Sequence, residues 1–293
     1  MGIHVLENDR LTVRVSDDGA ELFGVFDKES GAERIWNADP AVWNRHAPIL
    51  FPFVGRIAGN EYRVGWKSYA MKTQHGFARD MEFACVDKTD DSVTHRLTAT
   101  EATKAVYPYD FVLTVRHSLD RADPRLLKVE WRIENRGGER MYFSIGGHPG
   151  FMLPEGVKKE DVCISFPGKT SLTYFSVGSD GLALPRRKYT LRTEDGRAAF
   201  DTSVYDTWIF AHEDIGTVCI TDSSGEPYIT MNCEGFPLLA VWAKDTGPFI
   251  CLEPWYGRTD DSGFDGDLSD KPEIEHLEPG EEKSISYSMK FNR

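Results

Sequence analysis

The chain has 293 residues, with 47 acidic against 34 basic side chains and a formal net charge of −13. Such a surface repels phosphates, which excludes a general nucleic-acid or anionic-membrane partner and leaves an anionic substrate dependent on a local cluster of arginines. The first twenty residues show no basic stretch followed by an apolar one, and no apolar run reaches the roughly eighteen residues that cross a bilayer.

In chain order, period-two alternation dominates. Leu11–Val15 runs into an Asp17-Asp18-Gly19 turn and resumes over 20–26, a hairpin signal. After it, Asp39-Pro40 offers an N-cap and a first-turn proline for a short helix. Further strands are expected at 111–119, 127–134, 218–221, 228–233, 238–242 and 285–291. The apolar run from Phe249 ends on Glu253, with Pro254 directly after. This predicts a buried strand whose last paired residue is an acid. The acidic piece from Asp260 to Lys271 reads as a surface loop. Many strands, frequent turns and little helix indicate a large, mostly antiparallel all-β sandwich. No repeat, linker or low-complexity tract divides it, so one domain over 1–293 is expected.

The five cysteines (85, 163, 219, 233 and 251) are dispersed, with no Cys-x-x-Cys pair and no zinc-ligand spacing. They fit reduced thiols in a cytoplasmic protein. Candidate chemistry gathers in five segments. Phe53-Val54-Gly55-Arg56 delivers an arginine beside glycine. Gln74-His75-Gly76-Phe77-Ala78-Arg79-Asp80 holds a histidine and an arginine. Gly146-Gly147-His148-Pro149-Gly150 surrounds a histidine with residues that admit close backbone approach. Ser203–Trp208 sets Asp206 between aromatics, and Glu253-Pro254-Trp255-Tyr256-Gly257 supplies the acid. Taken singly, each has a plain structural reading: a hydrogen-bonded turn histidine, a solvated arginine, a capping aspartate, a strand-end glutamate. Together, two histidines, an arginine and two acids suit a polyhydroxylated ligand, with aromatic faces for its C–H surface.

Gly55-Arg56, Gln74-His75-Gly76-Phe77-Ala78-Arg79, Gly146-Gly147-His148-Pro149-Gly150-Phe151 and Leu252-Glu253-Pro254-Trp255-Tyr256-Gly257 resemble the aldose 1-epimerase (galactose mutarotase) superfamily. The resemblance is closest to its LacX-like branch and holds in order over about Leu11 to Phe291. It implies a galactose mutarotase-like β-supersandwich and interconversion of the α and β anomers of an aldose. Residue by residue, it implies Glu253 as general base, His148 as general acid, and His75, Arg56 and Asp206 as holders of the sugar hydroxyls and ring oxygen. His148 is expected to act as an imidazolium, kept charged by a neighbouring anion. Neither a metal nor a nucleotide cofactor is required. The implied partner is a monosaccharide, free or phosphorylated, taken up by a monomer or homodimer.

Two departures bear on the substrate. Galactose mutarotases carry His-Gly-Gly where this chain has His75-Gly76-Phe77-Ala78-Arg79, a form shared with hexose-6-phosphate epimerases. They also carry Asn-His where this chain has Gly147-His148. Arg79 therefore suits a phosphorylated sugar, unless it serves as an ion pair with Asp80. The rival classes are a carbohydrate-binding sandwich without catalysis and a glycosidase pairing Glu253 with Asp206 or Asp260. A cupin-like metal site lacks its His-x-His pattern.

Overall fold

A computed structural model describes residues 2–200 and 207–292. Alternation in the sequence becomes two large antiparallel sheets. One has nine strands, with Glu282–Phe291, Leu126–Asn135 and Phe111–Leu119 near its centre and Ala84–Lys88 at one edge. The other has eight, and its path runs from Tyr189–Arg192 through Ser171–Phe175, Thr207–Ala211, Leu238–Trp242, Phe249–Tyr256 and Ile145–Gly147 to Ile49–Leu50. A four-stranded sheet starting at Ile3–Glu7 and Leu11–Ser16 packs beside them. This is the large antiparallel sandwich expected from the strand pattern, in the galactose mutarotase-like form that the family resemblance implied.

The expected hairpin forms as Leu11–Ser16 against Leu22–Asp27. The short turn of helix expected after Asp39-Pro40 is a single hydrogen-bonded turn that goes no further. Asp39 accepts backbone N–H bonds from Val42 and Trp43, which closes a single turn, and its side chain caps Ala41. Among the described residues the α-helix is instead Glu101–Val106, begun by a reciprocal Thr100–Thr103 capping box.

Alternation along Phe249–Tyr256 decides what each face of the eight-stranded sheet does. Ile250 and Leu252 point into the main core with Leu239, Val241 and Phe210. The opposite face carries two smaller apolar clusters, one around Trp255, Ala240 and Ile209 and one around Trp36, Phe249 and Cys251. Glu253 lies between them in sequence and faces the same way.

The proline after Glu253 does not end the strand, as the sequence suggested it would. Pairing with Leu238–Trp242 continues through Pro254 and Trp255. On the other side the ladder is broken: Gly146 pairs with Trp255 and Gly150 with Cys251, with no bridge between. The register is the same on both sides of the break, which sets Pro149 opposite Leu252 and His148 opposite Glu253. Two residues without N–H groups interrupt the ladder here, which frees the intervening segment for the site.

Candidate active site

The exposed face of the eight-stranded sheet holds a pocket of about 710 Å³. Arg56, His75, Arg79, His148 and Glu253 all line it. Asp206 lies outside the described residues; Thr207, which follows it, lines the pocket.

Glu253 and His148 form the floor. Glu253 Oε2 stands 3.3 Å from His148 Nε2, and the side chains are only 2% and 9% exposed. Neither Glu253 Oε2 nor His148 Nδ1 closes a hydrogen bond. The Trp255 indole N–H lies near enough to favour the ionised carboxyl without closing a bond of ordinary geometry. Gly146 makes room for that indole, because a Cβ there would sit 2.5 Å from Trp255 Cδ1.

Burial opposes the charge state expected from sequence. It raises the Glu253 carboxyl well above the usual carboxylate range. It also drives His148 down to about 3, and the Arg79 guanidinium pushes it further the same way. These directions run against the imidazolium expected from sequence. Both shifts favour the uncharged members of the pair, a protonated carboxyl and a neutral imidazole.

His75 is presented by a strained loop. Its φ is +67°, sparsely populated for a side-chain-bearing residue, and Gly76 follows at +70°. A Cβ on Gly76 would lie 2.3 Å from Phe51 O, the carbonyl that accepts the N–H groups of Phe77 and Ala78. His75 Nδ1 accepts the Gly55 N–H at 3.0 Å, which leaves the neutral ring its proton at Nε2; the Gln74 amide stands 3.0 Å from that nitrogen and can accept the proton only through its oxygen. Burial, then the charges near it at His148, Arg79 and Arg56, keep its pKa well below the ordinary imidazole value.

Arg79 forms the ion pair with Asp80 that the sequence allowed, but a long one. Its Nε lies 3.9 Å from Asp80, and the Asp80 carboxylate is bound more closely by Arg45. The buried Arg79 Nε has no hydrogen-bond partner. Arg56 is exposed at the rim, its backbone clamped to Thr259 and Asp260.

The segment from Asp260 to Lys271 is not simply a surface loop. Its ends are both buried and joined by an ion pair, and Asp260 also accepts the Ala58 N–H at 2.8 Å. That pair anchors the chain just beyond Arg56.

Sequence reasoning missed the aromatic wall. Trp43 lies tilted over the His148 ring at 4.8 Å, and Trp242 meets it edge-on at 5.5 Å. Lys244 adds a further cation to the lining. Trp43 sits in the turn that follows Asp39-Pro40. The one signal for it was the density of tryptophans around 36–43.

A β-sandwich that presents a buried acid–base pair, basic side chains and tryptophans in one open pocket is built to hold a sugar-like ligand. The family model for aldose 1-epimerase matches residues 3–290, and the chain belongs to that family. It is 28% identical to the chromosomal protein LacX of Lactococcus lactis subsp. lactis, over 97% of each chain. A galactose mutarotase related enzyme from Lactobacillus acidophilus superposes with a TM-score of 0.93 at 31% identity, covering 100% of this chain and 98% of that one. A galactose mutarotase-like protein from Lactobacillus casei gives 0.89 at 28% identity, over 99% of both.

Proposed function

We propose that the chain is an aldose 1-epimerase in which Glu253 and His148 interconvert the α and β anomers of an aldopyranose. The observation that carries this reading is their 3.3 Å approach at the pocket floor. The C1 hydroxyl and the ring oxygen share one carbon, so a donor and an acceptor at about hydrogen-bond separation reach both.

Glu253 takes the C1 hydroxyl proton while His148 protonates the ring oxygen. The C1–O5 bond breaks and C1 becomes an aldehyde. Rotation about C1–C2 presents its other face, the C5 hydroxyl attacks, and the protons return in reversed roles. The pair needs one mobile proton between its two members. The raised carboxyl and lowered imidazole favour that proton on Glu253, and passing it to His148 generates the working carboxylate and imidazolium without exchange with solvent. Each group contributes roughly 10²–10⁴-fold. His75 and Arg56 hold hydroxyls, a role also assigned to Asp206. The five free cysteines, three of them buried, fit a reducing compartment and favour a cytoplasmic location.

Proton NMR of the anomeric signals, or polarimetry, from pure α-galactose and α-glucose tests this. Wild type speeds equilibration and Glu253→Gln does not. Equal acceleration by both would remove the assigned base, and no acceleration by wild type would leave a binding role.

One observation favours a phosphorylated aldose as the substrate: the buried Arg79 Nε has no hydrogen bond and only a 3.9 Å ion pair with Asp80, which Arg45 binds more closely, and Arg56 and Lys244 share the lining. A guanidinium fork suits a phosphate. Glucose 6-phosphate should then equilibrate faster than glucose, with the advantage lost in Arg79→Ala. Equal rates would remove this reading.

A further inference from the structure

Away from the pocket, four side chains from separate segments converge where the four-stranded sheet meets the edge of the nine-stranded one. His4 lies on the strand Ile3–Glu7 and Asp17 just after Leu11–Ser16. Cys85 lies on the edge strand Ala84–Lys88, directly across from His95 on Ser92–Thr98. Asp17 Oδ1 stands 2.8 Å from His4 Nε2 and 3.2 Å from His95 Nε2. A ring nitrogen of each histidine and the Cys85 sulfur all lie within 4.8 Å of one another. The two rings meet edge to face at 5.1 Å. Backbone bonds fix the frame: Asp17 O accepts the Phe83 N–H at 2.8 Å, and Asp17 Oδ2 accepts the Gly2 N–H at 2.6 Å. A β-bulge between Cys85 and Asp87 reshapes the edge strand at this point.

We propose that His4, Asp17, Cys85 and His95 form a binding site for a divalent transition-metal ion, zinc by preference. Two imidazoles, a thiolate and a carboxylate are borderline-soft donors suited to tetrahedral zinc, and they leave calcium or magnesium disfavoured. Donors about 2.0–2.3 Å from a tetrahedral ion lie roughly 3.3–3.8 Å from one another. The present spacings straddle that range, so small side-chain rotations close the site. Thiolate and carboxylate together balance the charge of the ion. Both Nε2–H groups now point at Asp17 Oδ1; with the ion bound, each ring shifts its proton to Nδ1 and offers the Nε2 lone pair. The Cys85 thiol loses its proton to solvent as the S–Zn bond forms, so one proton is released per ion. The bound ion ties the Ile3–Glu7 strand to the edge of the large sheet, and none of its four ligands lines the sugar pocket. The plain alternative is a hydrogen-bonded His–Asp–His cluster beside an idle thiol.

The test uses tag-free, chelator-stripped protein and Zn²⁺ or Co²⁺ alone. Calorimetry with Zn²⁺ should show one ion per chain, with about one proton released. Co²⁺ should give a thiolate-to-metal charge-transfer band. Zn²⁺ should protect Cys85, the exposed cysteine of the five, from iodoacetamide in the wild type, a readout that needs no variant. Cys85→Ser and His4→Gln should each weaken binding by more than the roughly 10–100-fold typical of losing an outer-shell partner, with anomerisation unchanged. His148, Cys251 and Glu253 form another grouping of possible ligands in the pocket. The double variant Cys251→Ala/Glu253→Gln should therefore keep the Co²⁺ band. Absence of saturable uptake at micromolar Zn²⁺, no protection of Cys85, or uptake unaffected by Cys85→Ser would each overturn the site.

Discussion

His148 and Glu253 face each other at 3.3 Å across a gap in the sheet ladder that Pro149 and Pro254 hold open from opposite strands. The gap places a titratable pair where backbone pairing would otherwise run: Glu253 rides on the paired strand Phe249–Tyr256, and His148 lies in the unpaired segment between Ile145–Gly147 and Gly150–Met152.

Glu253→Gln should lower kcat/KM by at least about 10²-fold while leaving the fold intact. Its effect on stability has a definite sign. The folded carboxyl titrates above its unfolded value of 4.5. Whatever it contributes is fully present below pH 4.5 and is lost as pH rises through the higher folded value. The variant should therefore gain stability relative to wild type as pH increases, read as the difference in melting temperature across a pH series. A difference that shrinks with rising pH would contradict the raised carboxyl.

The pH profile of kcat/KM should lack the acid limb of an ordinary imidazole. The free pair loses its working proton count on the acid side only when it takes a second proton. His148 is held near 3, so activity should persist well below 6.5. An acid limb centred near 6.5 would show a solvated His148.

Trp43→Ala removes the ring tilted over His148 at 4.8 Å. An aromatic contact of about 0.5–1.5 kcal/mol corresponds to a roughly 2- to 12-fold fall in kcat/KM. The acid limb should also move up toward the ordinary imidazole value as water reaches the ring. Unchanged kinetics and pH profile would make Trp43 a bystander.

Lys271→Met leaves the buried Asp260 without its cation. Removing one partner of a buried pair costs about 3–5 kcal/mol, which urea denaturation would read directly. Adding Asp260→Asn should recover part of the loss, though its bond to the Ala58 N–H weakens. A loss below 1 kcal/mol in the single variant would mean water reaches the pair.

The sequence by itself determined much of this protein. Strict alternation along 111–119 and 127–134 specified half-buried antiparallel strands, because a period of two can bury only one face. His75-Gly76 and Gly146 were legible as places where the backbone must bend or approach closely, and His148 and Glu253 as chemistry beside them. The tertiary structure decided what depends on pairing between distant segments. Register set His148 opposite Glu253 and carried the strand past Pro254. Burial then pushed both groups toward their uncharged forms, since desolvation is a property of the packed pocket and not of the residue type. The same holds for Trp43 over His148, for Asp260 buried with Lys271, and for His4, Asp17, Cys85 and His95. Those four have no common spacing and meet only where one sheet closes against the edge of another.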